Sequence, residues 1–350
     1  MNSAVFMVLL GFLVSLSLTP AVIALGHKRM VLDHPDGKRK LHSRPVSPLG
    51  GVSVFVAFSV TSVVSSIISG NSFPFLVFLG LAVIFLTGLL DDILGFSPFM
   101  KLGGQLLGIF LLMWGGIVIQ FVTFPGNGLV FLGLWGYPLT VMWFVGIINA
   151  LNLIDGMDGL SGGVAVIAAL TLGVIAWQEG RMEPALMSFI LVASVAGFLP
   201  FNFPPARVFL GDGGALFLGA VLATVSIQGA VKGAATFTLA APILALGVPI
   251  SDTIFAIVRR SRNRLPIMFP DRGHLHHRLL ERGYSQRKVV LTVYGISGAF
   301  GGVAIVMDRL IPNTTYSLLL FLFLFGILWR WGKQLGLMEI TENEQKSEKN

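Results

Sequence analysis

Apolar stretches of about 17–25 residues recur along this chain, and they constrain its fold more than any other feature. A helix of that length crosses about 30 Å of hydrocarbon. Hydrophobic residues make up 54% of the 350 residues and charged residues only 12%, with a mean hydropathy of +0.83. Soluble globular domains are far less apolar. The sequence therefore predicts an all-α, polytopic integral membrane protein.

The apolar pattern predicts about eleven transmembrane helices. The fifth is the least well defined, because Gly126–Gly136 before it could form a loop or a re-entrant piece. The first has neither the basic flank nor the cleavage site of a signal peptide, so it is predicted to be a retained span. The predicted spans are Ala4–Leu25, Gly50–Ile68, Phe73–Leu90, Leu102–Phe121, Pro138–Leu151, Leu160–Trp177, Pro184–Leu199, Gly213–Gly229, Ala234–Val258, Val289–Met307 and Thr315–Trp331.

Basic residues are distributed unevenly between the two sides of the predicted bundle. Of the 24 Lys and Arg residues, only Arg181, Lys232 and Arg309 fall on one side. Because basic residues are enriched in cytoplasmic loops, the N-terminus is predicted to lie outside and the C-terminus inside. Segments 26–49, 91–101, 152–159, 200–212 and 259–288 then face the cytoplasm. The net charge of +7 thus indicates membrane orientation rather than nucleic-acid binding.

The predicted organisation is one membrane domain, residues 1–338, followed by a polar, disordered cytoplasmic tail, residues 339–350. The basic segment Gly26–Leu49 is expected to be a loop. Arg259–Lys288 is expected to include a short helix along the lipid headgroups. Attraction to anionic lipid and contact with phosphate are both open explanations for these segments. The absence of cysteine excludes disulfides and thiolate metal sites.

Asp91 and Asp92 lie at the end of the third predicted span. Adjacent helical residues point about 100° apart, so the two carboxylates are expected to have different partners. One would face a metal or phosphate and the other a basic group. A polar helix end in the headgroup region is the structural alternative.

The segment Asn149–Gly159 contains the most specific motif of the chain. Asn149, Asn152, Asp155 and Asp158 recur every three residues, so neighbouring members share a face if the segment is helical. Such a polar ridge cannot face lipid. The segment lacks the length and the terminal Glu of an EF-hand calcium loop.

Asp212 begins the eighth predicted span after a proline-rich loop. Its carboxylate could cap the helix or hold a hard cation. Magnesium is commonly held by one or two carboxylates together with substrate phosphates. Asn202 and Phe209, in the loop before it, are suited to hydrogen bonding and stacking on a nucleobase.

His274, His277 and Arg278 have the spacing of one helical face. Zinc is one alternative for this group, because histidine is a common zinc ligand. The aspartates and asparagines elsewhere suit magnesium or manganese better. The adjacent arginines also favour an anionic diphosphate, and decoration of the membrane surface is a third alternative.

From the basic first loop through HLHHRLL, the chain resembles the polyprenyl-phosphate N-acetylhexosamine-1-phosphate transferases of glycosyltransferase family 4. The order and placement of all four clusters carry this resemblance. The HxHH form of the histidine segment resembles the WecA/TagO branch, which uses UDP-N-acetylglucosamine. The resemblance implies that undecaprenyl phosphate attacks the β-phosphorus of the UDP-sugar and that UMP leaves.

The resemblance also implies partners and a location. The cofactor would be Mg²⁺, with Mn²⁺ as a substitute. The substrates would be a UDP-sugar and undecaprenyl phosphate, and the protein would lie in the bacterial cytoplasmic (inner) membrane with its active site facing the cytoplasm. A homodimer is compatible with this scheme, and no nucleic-acid partner is expected.

Residue roles are carried over by the same resemblance. The expected catalytic residues are Asp91, Asp92, Asp155, Asp158 and His277. The expected metal ligands are Asp212, Asn152 and Asp155. The expected substrate-binding residues are Lys40, His42, Lys101, Asn149, Asn202, Phe209, His274, His276 and Arg278.

The chain departs from the family pattern at two positions. It reads PVSPLGG where relatives commonly have an arginine before LGG, so the basic residue that meets the lipid phosphate stays open. Ala215 follows GDGG where a serine is usual. UDP-N-acetylmuramoyl-pentapeptide is the alternative sugar nucleotide. A secondary transporter is the alternative class, but transporters place ionisable residues near the midplane and not at span ends.

Overall fold

The structure, a computed structural model, describes residues 2–33, 45–70, 74–124, 128–229, 240–265, 273–310 and 314–339. Within these ranges the chain is mostly helical, with one antiparallel hairpin that pairs Phe121 with Phe131. The elements are α1 (Asn2–Lys28), α2 (Gly50–Ser69), α3 (Phe75–Leu94), α4 (Pro98–Trp114), β1 (Phe121–Phe124), β2 (Gly128–Phe131), α5 (Gly136–Ile154), α6 (Leu160–Gln178), α7 (Met182–Asn202), α8 (Gly211–Gly229), α9 (Ala240–Ala245), α10 (Gly247–Arg262), α11 (Leu275–Glu281), α12 (Gln286–Leu310) and α13 (Thr314–Gln334).

Eight helical segments in the described ranges are long and apolar enough to cross a membrane, which confirms the predicted all-α, multi-pass membrane protein. The other three predicted spans also contain helices. Of these, α4 has 17 residues, and the ninth predicted span is divided between α9 and α10. The count of eleven spans and the orientation stay predictions. The eight segments are Ser3–Lys28, Gly50–Ser69, Phe75–Leu94, Gly133–Ile154, Leu160–Gln178, Met182–Asn202, Gly211–Gly229 and Gln286–Leu310.

The described parts of the segment Arg259–Lys288, expected to include a short helix, contain parts of three helices. α10 continues through Arg259, whose side chain is 1% exposed. Its guanidinium donates hydrogen bonds to the backbone oxygens of Gly273, at 3.0 Å, and of Leu337. The short helix of this segment is α11, which buries Leu279 in the main apolar core. The predicted short helix is therefore present and packs against the protein, and its position along the lipid headgroups stays a prediction.

The stretch Gly126–Gly136 is expected as a loop or re-entrant piece. Its described part contains β2, which pairs with β1, and one 3-10 turn at Gly133–Trp135. Residues 34–44, with Lys40 and His42, lie outside the described residues. The predicted tail is described only at Glu339.

α8 occupies the core of the bundle. Residues 213–227 are all buried, and α8 packs against α2, α3, α5, α6 and α7. A helix that is apolar on every side can be surrounded by protein or by lipid, and these neighbours surround α8 with protein. Phe217 of α8 lies edge-on to Phe55, with 5.3 Å between ring centroids, and Phe55 stacks on Phe85 at 4.1 Å. This packing holds the first turn of α8 beside the end of α3.

Gly88 allows α3 to approach the first turn of α8. A Cβ atom at position 88 would lie 2.5 Å from the backbone oxygen of Asp212 and 2.6 Å from the backbone nitrogen of Gly213. Backbone atoms cannot rotate away as a flexible side chain can, so any larger residue must push the helices apart. The absence of a side chain at Gly88 thus places Asp212 close to the end of α3.

We expect Gly88→Ala to lower the midpoint of thermal unfolding in detergent, because overpacking costs about 1–3 kcal/mol. Gly103→Ala is the matched control, since Gly103 is also helical and its Cβ would meet no atom within 4 Å. Its midpoint is expected to stay the same or to rise slightly, because alanine favours helix over glycine. Scanning fluorimetry of both variants measures the difference. A Gly88→Ala midpoint equal to that of wild type would contradict the tight contact.

Candidate active site

A cavity of about 530 Å³ opens where α3 and α5 end and α8 begins. Residues 30–33, which follow α1, form part of its wall. The chain topology brings together at this cavity side chains that are more than 100 positions apart in sequence. Six predicted site residues line it, namely Asp92, Asp155, Asp158, Asn202, Phe209 and Asp212.

The Lys101 ammonium is surrounded by oxygen atoms at this end of the bundle. It contacts a carboxylate oxygen of Asp212 directly, and it lies 3.0 Å from Asp91 Oδ2 and 3.1 Å from Asn152 Oδ1. Asn152 Nδ2 in turn donates to Asp212 Oδ1 at 2.6 Å. Four residues from α3, α4, α5 and α8 thus form one charged cluster, which we call the Lys101 cluster: Asp91, Lys101, Asn152 and Asp212.

Asp91 and Asp92 have different partners, as their angular separation on a helix predicts. Asp91 pairs with Lys101, and its Oδ1 accepts a hydrogen bond from the Phe96 backbone N–H at 2.7 Å. Asp92 accepts from the backbone N–H groups of Asp212, at 2.9 Å, and Gly213, at 3.0 Å. Asp92 therefore caps α8 from the neighbouring helix, because a carboxylate is stabilised by the unpaired amides and the dipole of a helix N-terminus.

Asn149 lies one turn before Asn152 on α5 and is tied to α4. Its Nδ2 donates to Gln105 Oε1 at 3.0 Å and to the Val145 backbone oxygen at 2.8 Å. Gln105 is 1% exposed and lies one turn after Lys101. The Asn149–Gln105 pair therefore joins the two helices that present Asn152 and Lys101 to the cluster.

Asp155 follows the last residue of α5 and is turned toward α6, where the Ser161 hydroxyl donates to its Oδ1. Burial raises the pKa of Asp155 well above its ordinary value, and the charges of Asp212 and Asp92 raise it further. The hydrogen bond from Ser161 acts in the opposite direction without reversing the shift. Asp155 thus keeps a proton to higher pH than an exposed aspartate.

Asp158 and Asn202 connect the loops around the cavity. Asp158 Oδ2 accepts from the Ala206 backbone N–H at 2.9 Å. Asn202 Oδ1 accepts from the Gly159 N–H at 3.0 Å, and Asn202 Nδ2 donates to the Val208 oxygen at 2.9 Å. Asn202 is only 3% exposed, so its amide braces two loops. A contact between Asn202 and a nucleobase stays a prediction.

Phe209 is partly buried and lies in the cavity wall. Its backbone N–H donates to the Ser47 oxygen at 2.9 Å, which joins the loop before α8 to the segment before α2. The backbone that carries the Phe209 ring is therefore fixed to the segment before α2 by this hydrogen bond. This position is compatible with stacking on a base, and that role stays a prediction.

The histidine segment begins just before α11. His274 is 5% exposed, and its Nδ1 lies 2.7 Å from Oδ2 of Asp252 in α10. His276 is 2% exposed and lies against Gly156, where a Cβ would be 2.5 Å from its Nε2. Burial, followed by the neighbouring charge of His277, lowers the pKa of His276 to about 3. The His276 ring is therefore neutral at physiological pH.

His274, His277 and Arg278 do not form the predicted common helical face, because α11 begins only at Leu275. The His274 ring faces α10, whereas the Arg278 side chain faces Glu281 and Glu339. Arg278 pairs with Glu281 at 3.4 Å and donates to the backbone oxygen of Glu339.

No group of three or more His, Cys, Asp or Glu side chains is arranged to hold a metal ion within the described part of the chain. Of the three predicted ligands, Asp212 and Asn152 are in contact and Asp155 is bonded to Ser161. The Lys101 cluster nevertheless shows that carboxylate and amide oxygens converge on one cation at this position. Such oxygen atoms are the ligands that hard cations prefer.

Sequence reasoning missed four residues that organise the site: Gln105, Ser161, Asp252 and Tyr294. Tyr294 of α12 donates to the Gly159 backbone oxygen at 2.5 Å. Asp252 carried a signal, since it is a carboxylate within a predicted apolar span and such groups need a partner. Gln105 carried a weaker signal of the same kind. Ser161 and Tyr294 carried none, because their partners are set by tertiary packing.

The fold and the site together define the class of protein: a multi-pass membrane protein with a cavity rich in carboxylates at the ends of its helices. A family model described as glycosyl transferase family 4 matches residues 74–230. A relative from Bacillus subtilis, named probable undecaprenyl-phosphate N-acetylglucosaminyl 1-phosphate transferase, is 39% identical over 305 residues. That match covers 86% of this chain and 85% of the relative. The chain belongs to glycosyl transferase family 4, as its motifs predict.

Two further relatives widen the comparison. The decaprenyl-phosphate N-acetylglucosaminephosphotransferase of Mycobacterium leprae is 32% identical, over 81% of this chain and 78% of its own length. The phospho-N-acetylmuramoyl-pentapeptide-transferase of Levilactobacillus brevis is 29% identical, over 85% of this chain and 97% of its own. The chain is thus similar to transferases named for two different groups, N-acetylglucosamine and N-acetylmuramoyl-pentapeptide.

Proposed function

We propose that the protein transfers N-acetylglucosamine 1-phosphate from UDP-N-acetylglucosamine to undecaprenyl phosphate and releases UMP. This reaction would be the first membrane step of lipid-linked cell-surface glycan synthesis. The Lys101 cluster beside the cavity carries the proposal, because phosphoryl transfer depends on positioned charges more than on covalent chemistry. The names of the B. subtilis and M. leprae relatives support the choice of sugar.

The donor atoms of the cluster fit Mg²⁺, with Mn²⁺ as a substitute. Oxygen atoms of Asp212, Asn152 and Asp91 already converge on the Lys101 ammonium, so the site stabilises a cation. Asp212 and Asn152 would hold the metal, with Asp155 as the third proposed ligand. When bound, the metal supplies charge stabilisation for the diphosphate and the leaving UMP.

The chain's own residues would position the reacting groups. An oxygen of the lipid phosphate forms a bond to the β-phosphorus of the UDP-sugar, and the bond from that phosphorus to the UMP oxygen breaks. Lys101 would bind phosphate oxygens, and its ion pair with Asp91 keeps it beside Asp212, which lines the cavity. Asp91 and Asp92 are the candidates to position or deprotonate the lipid phosphate. We favour single displacement, and an aspartyl-phosphate intermediate is the alternative.

The remaining predicted residues would bind the sugar nucleotide around this centre. The proposed contacts are Asp158, Asn202 and Phe209 for the uridine. Asn149 would lie between the metal and the nucleotide, and its hydrogen bond to Gln105 would hold it there. The diphosphate and sugar would meet His274, His276, His277 and Arg278. Lys40 and His42 of the first loop would meet the lipid phosphate.

The protein would lie in the bacterial cytoplasmic (inner) membrane, with the cavity on the cytoplasmic side. The concentration of Lys and Arg in loops on the same side as the cavity supports this orientation. The substrate UDP-sugar is a cytoplasmic metabolite, which agrees with such a placement. A single membrane domain and a homodimer belong to the same proposal.

A second candidate is the same phosphotransfer with UDP-N-acetylmuramoyl-pentapeptide. The similarity to the L. brevis transferase over 97% of that protein favours it as the alternative. A secondary transporter is a more distant alternative. The carboxylates that line the cavity lie at helix ends, which favours the enzyme.

The test is UMP release by the purified protein in detergent with undecaprenyl phosphate and Mg²⁺. UDP-N-acetylglucosamine and UDP-N-acetylmuramoyl-pentapeptide are supplied in separate reactions. We expect UMP from the first substrate only. UMP from the second only would keep the chemistry and change the sugar. Release from neither substrate by folded protein would contradict the proposed function.

A further inference from the structure

Asp252 is a buried carboxylate with no part in the reaction as described above. It lies in α10, between the apolar Ile250 and Phe255, and is 3% exposed. Removing a charge from water costs several kcal/mol unless hydrogen bonds or an opposite charge compensate. A carboxylate in this position therefore requires specific partners, and its partners indicate what it does.

Both oxygens of Asp252 are directed at the histidine segment. Oδ2 lies 2.7 Å from His274 Nδ1, and Oδ1 accepts from the Leu275 backbone N–H at 2.8 Å. The first contact sets the tautomer of the His274 ring, because the nitrogen that faces the carboxylate carries a proton. The second holds the first residue of α11, which has no intrahelical partner for its N–H. One side chain thus fixes both the ring and the backbone where the segment begins.

The consequence of this anchoring extends to the cavity. The His274 and His276 rings are nearly parallel, with 7° between their planes and 6.0 Å between centroids. The His276 ring touches the backbone of Gly156, which lies beside Asp155 in the cavity wall. The centroids of the His277 and His276 rings are 4.3 Å apart. A continuous series of contacts therefore runs from Asp252 to the loop that carries Asp155.

We propose that Asp252 is a positioning residue that holds the histidine segment in register with the loop of Asp155. It acts through His274 and Leu275 and does not touch substrate. The expected effect of Asp252 on KM rests on the proposed function, since the histidines are the proposed contacts of the UDP-sugar. The hydrogen-bond arrangement itself can be tested without turnover.

The first measurement uses wild-type protein labelled with ¹⁵N-histidine in detergent. We expect the Nδ1–H of the His274 ring to be protected from exchange with water, because the Asp252–His274 contact is buried. His274→Gln should remove that signal and so assign it to His274. Rapid exchange, or a His274 ring without a proton on Nδ1, would overturn the proposal even if no variant of Asp252 folds.

The second measurement compares Asp252→Asn with Ser251→Ala. Ser251 is its neighbour in α10, is also buried, and donates only to the Val248 oxygen within its own helix. Asp252→Asn should shift the His274 signal and raise KM for the UDP-sugar by about 10- to 100-fold, by analogy with the effect of losing a residue that orients a metal-ligating histidine. KM for undecaprenyl phosphate should change little. Ser251→Ala should leave the signal and both KM values unchanged.

The outcomes separate the two proposals. An unchanged His274 signal and unchanged KM in Asp252→Asn would overturn the positioning role while UMP release by wild type continues. An equal loss toward both substrates, with an unshifted His274 signal, would reduce Asp252 to general packing and also overturn it. Failure of wild type to release UMP would contradict the proposed function alone, because the protected His274 proton is measured without substrate.

Discussion

Asp212→Asn is expected to lose turnover, with UMP release falling by about 100- to 1000-fold. Asn has nearly the same shape and keeps an oxygen that can accept from Asn152, which donates to Asp212 at 2.6 Å. The substitution removes the negative charge that pairs with Lys101 and that would hold the metal. The loss should therefore come from charge at the reacting centre and not from misfolding.

The measurement is initial UMP release against Mg²⁺ concentration, together with the yield in the membrane fraction and the thermal midpoint. The wild-type rate should rise with Mg²⁺, and the residual rate of Asp212→Asn should depend on it less. The matched control is Asp308→Asn, a partly buried carboxylate about 20 Å along α12 from Tyr294 at the site, by 1.5 Å per residue. The control should keep wild-type rates. Near-normal rates in Asp212→Asn would remove Asp212 from the metal site.

Much of the architecture was predictable from the sequence because the physical rules involved are local. An apolar run of about 20 residues is long enough to cross the bilayer as a helix. The long apolar helices therefore lie where the apolar runs lie. The different partners of Asp91 and Asp92 follow from the rotation between neighbouring helical residues. Asp212 was expected at the start of the eighth span, and it lies in the first turn of α8.

The rest depends on packing between distant segments, which no local pattern encodes. Asn202 is a plausible base-binding group by residue type. In the structure, however, its amide oxygen accepts from the Gly159 N–H and its amide nitrogen donates to the Val208 oxygen. Arg259 looks like a surface residue in a basic segment, but backbone oxygens from another part of the chain accept its hydrogen bonds and allow its burial. The pairing of Asp252 with His274 joins positions 22 residues apart.

Asp92→Asn and Asp91→Asn are expected to lose UMP release by comparable factors, about 100-fold or more, but to differ in stability. Asp92 accepts from two backbone N–H groups at the start of α8. Asn can accept only one of these bonds, and its NH₂ group then opposes the other N–H. A buried donor without an acceptor costs about 1–3 kcal/mol, so the thermal midpoint of Asp92→Asn should fall.

Asp91→Asn is the matched partner, because it makes the same chemical change one residue earlier on α3. Asp91 accepts from Phe96 through one oxygen and pairs with Lys101 through the other, and Lys101 keeps Asp212 as its counter-charge. Its midpoint should therefore stay close to that of wild type while turnover falls. Fluorimetry and UMP release on the same two preparations measure both effects. Equal midpoints would contradict the capping of α8 by Asp92.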